Sequence, residues 1–235
     1  MLAGAGHAGT QAAARMAQQA ERLGAAGLLV APMREAAGNV RAIMEFYRRL
    51  AGQVSIPICV QDHPESSGVA LPAEVILKLL EQVPALASVK VEEPPTPAKI
   101  AALCRRRPRR DVTVLAGLGG LYSYFDLEGG ADGLMTGFAF PEVLVALQGA
   151  LRKGRQKRAL EIYRRFLPLI VFEQQPGVAM RKEILRRRGW IASARVRHPG
   201  ASAAPAAVRQ LDALLRDMFG QCDLSKPVPT DAAKR

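Results

Sequence analysis

The chain has 235 residues, 49% of them hydrophobic, which is enough apolar material for a sizeable core and is the composition of neither a disordered nor a fibrous protein. Three cysteines, Cys59, Cys104 and Cys222, stand without CxxC spacing or a neighbouring histidine cluster, which argues against a disulfide framework or a metal site and suits a reducing cytoplasm. The formal net charge of +12 invites a polyanion, but aromatic residues are only 5% of the chain and none alternates with the basic runs, so platforms for stacking bases are missing and no nucleic-acid partner is expected.

The arginines fall in separate clusters: Arg105, Arg106 and Arg107 with Arg109 and Arg110, then residues 153–158, then Arg164 and Arg165, then Arg186 to Arg188. Each lies on a predicted helix or at its end with apolar residues at the core positions between, the pattern of solvated basic faces. The first residues lack the basic start and apolar core of a signal peptide, and no apolar run approaches the roughly 18 residues that a membrane span needs. A soluble, cytoplasmic protein with no membrane partner is the expectation.

In chain order, residues 1–3 read as the stub of a strand, followed by a glycine-rich turn and a helix over 11–23 that Gly24 ends. Residues 27–31 read as a strand and 39–51 as a helix. Residues 56–61 form the next strand, bounded by Asp62, His63 and Pro64, and 72–82 a helix with proline in its first turn. Strands are predicted at 86–91, 112–116 and 131–137, with helices at 97–107 and 122–128 between them. Helices then follow at 141–153, 156–173, 178–188 and 205–219 with no strand among them. The alternation argues for βαβ units on a parallel sheet. Six such repeats are counted where a closed barrel needs eight. The predicted organisation is a partial βα-barrel over 1–153, a helical extension over 154–220 that offers oligomer contacts, and a disordered tail over 221–235.

Two features point to chemistry. Gly4, Gly6 and Gly9 spell GxGxxG at the opening of the first helix, where a dinucleotide fold would cradle a pyrophosphate. The context is poor: only three residues precede the motif, and the second strand ends in Ala31-Pro32-Met33 rather than an acid. The stronger feature is Lys90, embedded in the strand Ser88-Val89-Lys90-Val91 near its carboxyl end, where barrel active sites lie. Burying an ammonium is costly, and desolvation favours the neutral amine, which can attack a ketone and make an iminium that draws electrons from the adjoining carbon. By period-two alternation Ser88, Lys90 and Glu92 share one face, while the neighbours Glu92 and Glu93 point apart and form no acid/base pair.

With these segments in place, the chain from about residue 2 to 219 resembles the family of dihydrodipicolinate synthase and N-acetylneuraminate lyase. Leu2 to Gly6 with its helix resembles the family's third strand, Ile56-Pro57-Ile58 leading to Pro64 and Gly68 its fifth, Val89 to Glu92 its sixth, and Gly130 to Thr136 its eighth. The resemblance implies an α/β fold, a TIM (βα)8-type barrel lacking its first two βα units, with a C-terminal helical extension. It implies a lyase or synthase forming an imine between Lys90 and pyruvate or a related 2-keto acid, without a metal or other cofactor, working as a homo-oligomer. Gly117, Met135 and Thr136 fall where the family lines the substrate pocket.

Two departures stand out. Where the family has a proton-relaying tyrosine this chain has Gln61, which has no titratable proton. Asp62 and His63 follow as possible replacements, His63 sharing the strand face of Gln61 by alternation. The family's Gly-Thr-Thr grip on the keto acid's carboxylate, in its first two units, has no counterpart before Met1. Two other readings therefore stay open: an inactive family scaffold, and nucleotide binding over Gly4 to Gly9. Outside the barrel, Trp190 is expected to anchor a helix end in the core, and the loop carrying Val196, Arg197, His198 and Pro199 to be a surface link or a contact for carboxylate or phosphate.

Overall fold

A computed structural model describes residues 1–108, 111–174 and 177–230. Arg109 and Arg110 of the basic run, and the end of the predicted tail at 231–235, lie outside the described residues. The elements run β1 (Leu2–Gly4), α1 (Thr10–Arg22), β2 (Gly27–Val30), α2 (Val40–Ala51), β3 (Ile58–Asp62), α3 (Pro64–Ser67), α4 (Ala73–Gln82), β4 (Leu86–Val91), α5 (Thr96–Arg106), β5 (Thr113–Ala116), α6 (Ser123–Glu128) and β6 (Gly133–Leu134). Helices α7 (Pro141–Arg152), α8 (Gln156–Gln174), α9 (Val178–Arg187) and α10 (Pro205–Phe219) complete the chain. It divides into two compact units, Met1–Leu118 with Phe125–Met135, and Gly119–Tyr124 with the residues from Thr136 onward.

The first unit holds an all-parallel sheet in the order β1-β2-β3-β4-β5-β6, so every strand pairs with its successor in sequence. This is the α/β arrangement that consecutive βα units produce, and it matches part of a βα-barrel. Period-two alternation divides the sheet's side chains. Leu28 and Val30, Ile58 and Val60, Val89 and Val91, and Val114 and Ala116 pack with the helices in one buried core. The helices present matching stripes, such as Ile43, Phe46, Tyr47 and Leu50 on α2 and Ile76, Leu79 and Leu80 on α4. Asn39 starts α2 by accepting from the Ala42 N–H at 3.0 Å. The other face of the sheet carries Cys59, Gln61, Ser88 and Lys90 among its side chains.

Two strands differ from their predicted spans. Residues 56 and 57 fall outside β3, because Pro57 has no N–H to give the ladder, and the strand runs on to Asp62. The strand predicted over 131–137 shortens to Gly133–Leu134, its glycines weakening regular pairing. The four-residue α3 was not expected: Pro64 opens it, and Gly68, at φ +73°, closes it with a bond from its N–H to the Pro64 carbonyl at 2.8 Å.

In the second unit, rings of Phe140 and Phe166 pack on Phe219 with centroids 5.6 and 6.0 Å away. Arg188 is buried there, donating to the Ala139 carbonyl at 2.6 Å and to the Glu142 carboxylate at 2.8 Å. Trp190 is not the core anchor expected: it is 50% exposed, and its ring stacks on the Arg188 guanidinium at 4.2 Å. No helix among the described residues is long and apolar enough to cross a membrane.

Glu173 is fully buried in this unit, where it accepts from the Ala139 N–H at 3.2 Å. Burial lifts its carboxyl from 4.5 to about 8 against the opposing pull of that N–H and of Arg181. Because the folded value lies above the unfolded one, the unfolded chain releases this proton first, and stability falls as pH rises between them. Glu173→Gln keeps the acceptor and removes the titration, so urea denaturation should show the variant gaining on the wild type from pH 5 to about 8. Parallel pH profiles would contradict the assignment.

Candidate active site

Lys90 lies one residue before the end of β4, directly paired in register with Gln61 of β3. Glu92 follows two residues later on the same face, as strand alternation requires. Its backbone N–H donates to the Asp62 carbonyl at 2.8 Å, extending the ladder just beyond the strand end. The three side chains meet at one atom. Lys90 Nζ is 2.8 Å from Glu92 Oε2, and Gln61 Nε2 donates to the same oxygen at 3.1 Å. The Leu118 N–H donates to Glu92 Oε1 at 3.2 Å, so both carboxylate oxygens are held. The Lys90 and Glu92 side chains are only 13% and 9% exposed, which strengthens their mutual attraction.

Gly117 makes room for this arrangement. Its N–H donates to the Val91 carbonyl at 3.0 Å, and a Cβ added at this position would lie 2.7 Å from Glu92 Cδ, inside contact distance. Any larger residue would displace the carboxylate. Met135, one residue beyond β6, continues the ladder through its N–H to the Ala116 carbonyl at 2.8 Å, which puts it opposite Gly117 in the sheet. Thr136 belongs to the second unit, and its Oγ1 accepts from the Phe138 N–H at 3.4 Å.

Asp62 and His63 are not brought to Lys90. Asp62 lies on the opposite strand face from Gln61, fully buried in the helix-packed layer, with an ion pair to Lys99 of α5 at 2.7 Å. Burial lifts it from 3.8 to about 6, while Lys99 pulls the other way. Lys99 also binds Glu93, so the two neighbouring acids after Val91 serve different faces. His63 lies past the end of β3, and strand alternation no longer governs it. It caps α3, with Nδ1 2.7 Å from Ser66 Oγ. Of the GxGxxG residues, Gly4 ends β1 and Gly9 precedes α1, with the Gly9 N–H donating to His7 Nδ1 at 3.0 Å.

The residue of this cluster that the sequence alone does not single out is Glu92. Alternation places it on the face of Lys90, but does not show that its carboxylate reaches the amine. Burial pushes the Glu92 carboxyl up, and the bonds from Lys90, Gln61 and Leu118 more than offset this, leaving it below 4.5. An amine and a carboxylate in this contact can exchange a proton, giving a nucleophile and an adjacent acid/base. Among the described residues no group of three or more His, Cys, Asp and Glu side chains is arranged to hold a metal ion. Carboxyl 13C NMR should show Glu92 titrating below 4.5 in the wild type and at a clearly higher value in Lys90→Ala, where burial is opposed by neutral donors alone. An unmoved titration would mean that the ion pair does not hold the carboxylate.

The sequence matches the Dihydrodipicolinate synthetase family over residues 1–218. It is 34% identical over 214 residues to the L-2-keto-3-deoxyarabonate dehydratase of Azospirillum brasilense, a match covering 89% of this chain and 69% of that protein. It is also 34% identical over 182 residues to the 4-hydroxy-tetrahydrodipicolinate synthase of Chlorobium limicola, covering 75% of this chain and 60% of the relative. Among solved structures, dihydrodipicolinate synthase from Rhodopseudomonas palustris superposes with a TM-score of 0.84 at 31% identity, over 91% of this chain and 73% of that one. The chain belongs to the dihydrodipicolinate synthetase family.

Proposed function

We propose that this protein is a lyase that binds a 2-keto acid as an imine on Lys90 and eliminates water from it, with Glu92 as the proton carrier. The observation that carries the reading is the contact of Lys90 Nζ with Glu92 Oε2 at 2.8 Å, braced by Gln61. Glutamine cannot relay a proton, whereas the carboxylate it supports can. The similarity to a dehydratase acting on a 2-keto-3-deoxy sugar acid favours elimination over condensation. In this reading the six βα units are part of an eight-unit barrel, and the site lies at the carboxyl ends of its strands, where such barrels keep their chemistry.

Glu92 accepts a proton from the Lys90 ammonium, and the freed lone pair attacks the C2 ketone of the substrate. The carbinolamine loses its hydroxyl as water, taking the proton from Glu92 and leaving an iminium beside a carboxylate. Glu92 then removes a proton from C3, and the electron pair of that C–H bond moves into the enamine. Protonation of the C4 hydroxyl by Glu92 lets it depart as water, and a second water hydrolyses the conjugated iminium to the unsaturated 2-keto acid and free Lys90. The net change is the loss of one water from the substrate. The imine supplies the electron sink, so the chemistry needs no other cofactor.

Borohydride reduction in the presence of pyruvate or a 2-keto-3-deoxy sugar acid should leave an adduct on the peptide containing Lys90, and none in Lys90→Ala. Glu92→Gln should still be trapped, but more slowly, while its dehydration of the sugar acid falls by about 10²- to 10⁴-fold. A folded wild-type protein that yields no adduct with either acid would overturn the reading. Full dehydration by Glu92→Gln would leave the imine and remove Glu92 from the mechanism.

A further inference from the structure

The second unit holds a cavity of about 660 Å³ lined by Val178 and Lys182 of α9 and by Arg195, Val196, Arg197 and His198 of the following loop. Every titratable residue on its wall is basic. Glu183, the residue after Lys182, is already engaged, since it accepts from Arg186 and Arg187. Among the described residues, Arg195 and Arg197 form no ion pair, and the Lys182 ammonium is bound only to the neutral Arg195 carbonyl. The basic cleft between α2 and α4 differs, since there Glu45 binds both Arg48 and Arg49 at 2.7 Å.

The loop is closely built. The Gly200 N–H closes a turn onto the Arg197 carbonyl at 2.9 Å, and a Cβ at Gly200 would lie 2.6 Å from Val196 Cγ1. Lys182 ties the loop to α9 through the Arg195 carbonyl. Cations gathered around one concave space repel one another unless an anion lies between them. The valines on the same wall suit a short carbon skeleton. We propose that this cavity is a binding site for a small polyanion, a compact molecule bearing two or more phosphate or carboxylate groups. The site lies entirely in the second unit and uses none of the residues assigned to the chemistry of Lys90.

Calorimetric titration of the full chain with pyrophosphate and with tricarballylate, at fixed ionic strength, tests the proposal. Arg195→Ala/Arg197→Ala is compared with Arg41→Ala, a basic residue of the α2–α4 cleft, and circular dichroism checks that both variants fold. Saturable binding of either probe is expected, weakened about tenfold or more in the double variant and unchanged in Arg41→Ala. Preference for pyrophosphate assigns the site to phosphate esters, and preference for tricarballylate to polycarboxylates. No saturable binding of either probe, or equal binding by the double variant, would overturn the proposal.

Discussion

The pairing of Lys90 with Glu92 is the interaction on which this account of the molecule rests. A strand repeats every two residues, so a lysine and a glutamate separated by one valine emerge on the same face. At 2.8 Å, and with little access to water, the Lys90 amine helps to hold Glu92 as a carboxylate at a depth where that charge would not be tolerated alone. The surroundings are fitted to the pair. Gln61 arrives in register from β3, the Leu118 N–H from the turn after β5, and the absence of a side chain at Gly117 leaves the space that the carboxylate fills.

The two faces of the sheet divide the polar work. On the helix-packed side, Asp62 and Lys99 form a buried pair among valines and leucines, a structural tie whose removal would strand a charge. On the other side, one residue earlier in β3, Gln61 supports Glu92. Adjacent residues of one strand thus bind different polar partners on opposite faces. A proton carrier in this site must come from the face that Lys90 occupies, which Glu92 meets and Asp62 does not.

The sheet order and the position of Lys90 were legible in the sequence because apolar runs alternating with amphipathic stretches leave few parallel topologies, and a lysine inside such a run is conspicuous. Less was legible at strand ends. His63 was expected to continue the alternation of β3, but Pro64 turned the chain into α3 at that point. Trp190, expected as a core anchor at a helix end, stacks instead on Arg188, and this depends on a guanidinium buried through contacts with Ala139 and Glu142, 49 and 46 residues away. Glu92 was visible on the right face, but the sequence does not show that Gln61 and the Leu118 N–H converge on it. That convergence joins three segments, and only tertiary structure supplies it.

In the proposed mechanism protons move on and off carbon through Glu92 at an imine of Lys90. Proton NMR of pyruvate in deuterated water reads this directly, because an imine in equilibrium with its enamine replaces the methyl protons by deuterium. Exchange is expected with the wild-type protein, none above background with Lys90→Ala, and exchange slowed about a hundredfold or more with Glu92→Gln. Wild-type exchange no faster than background, or Glu92→Gln exchanging at the wild-type rate, would contradict it.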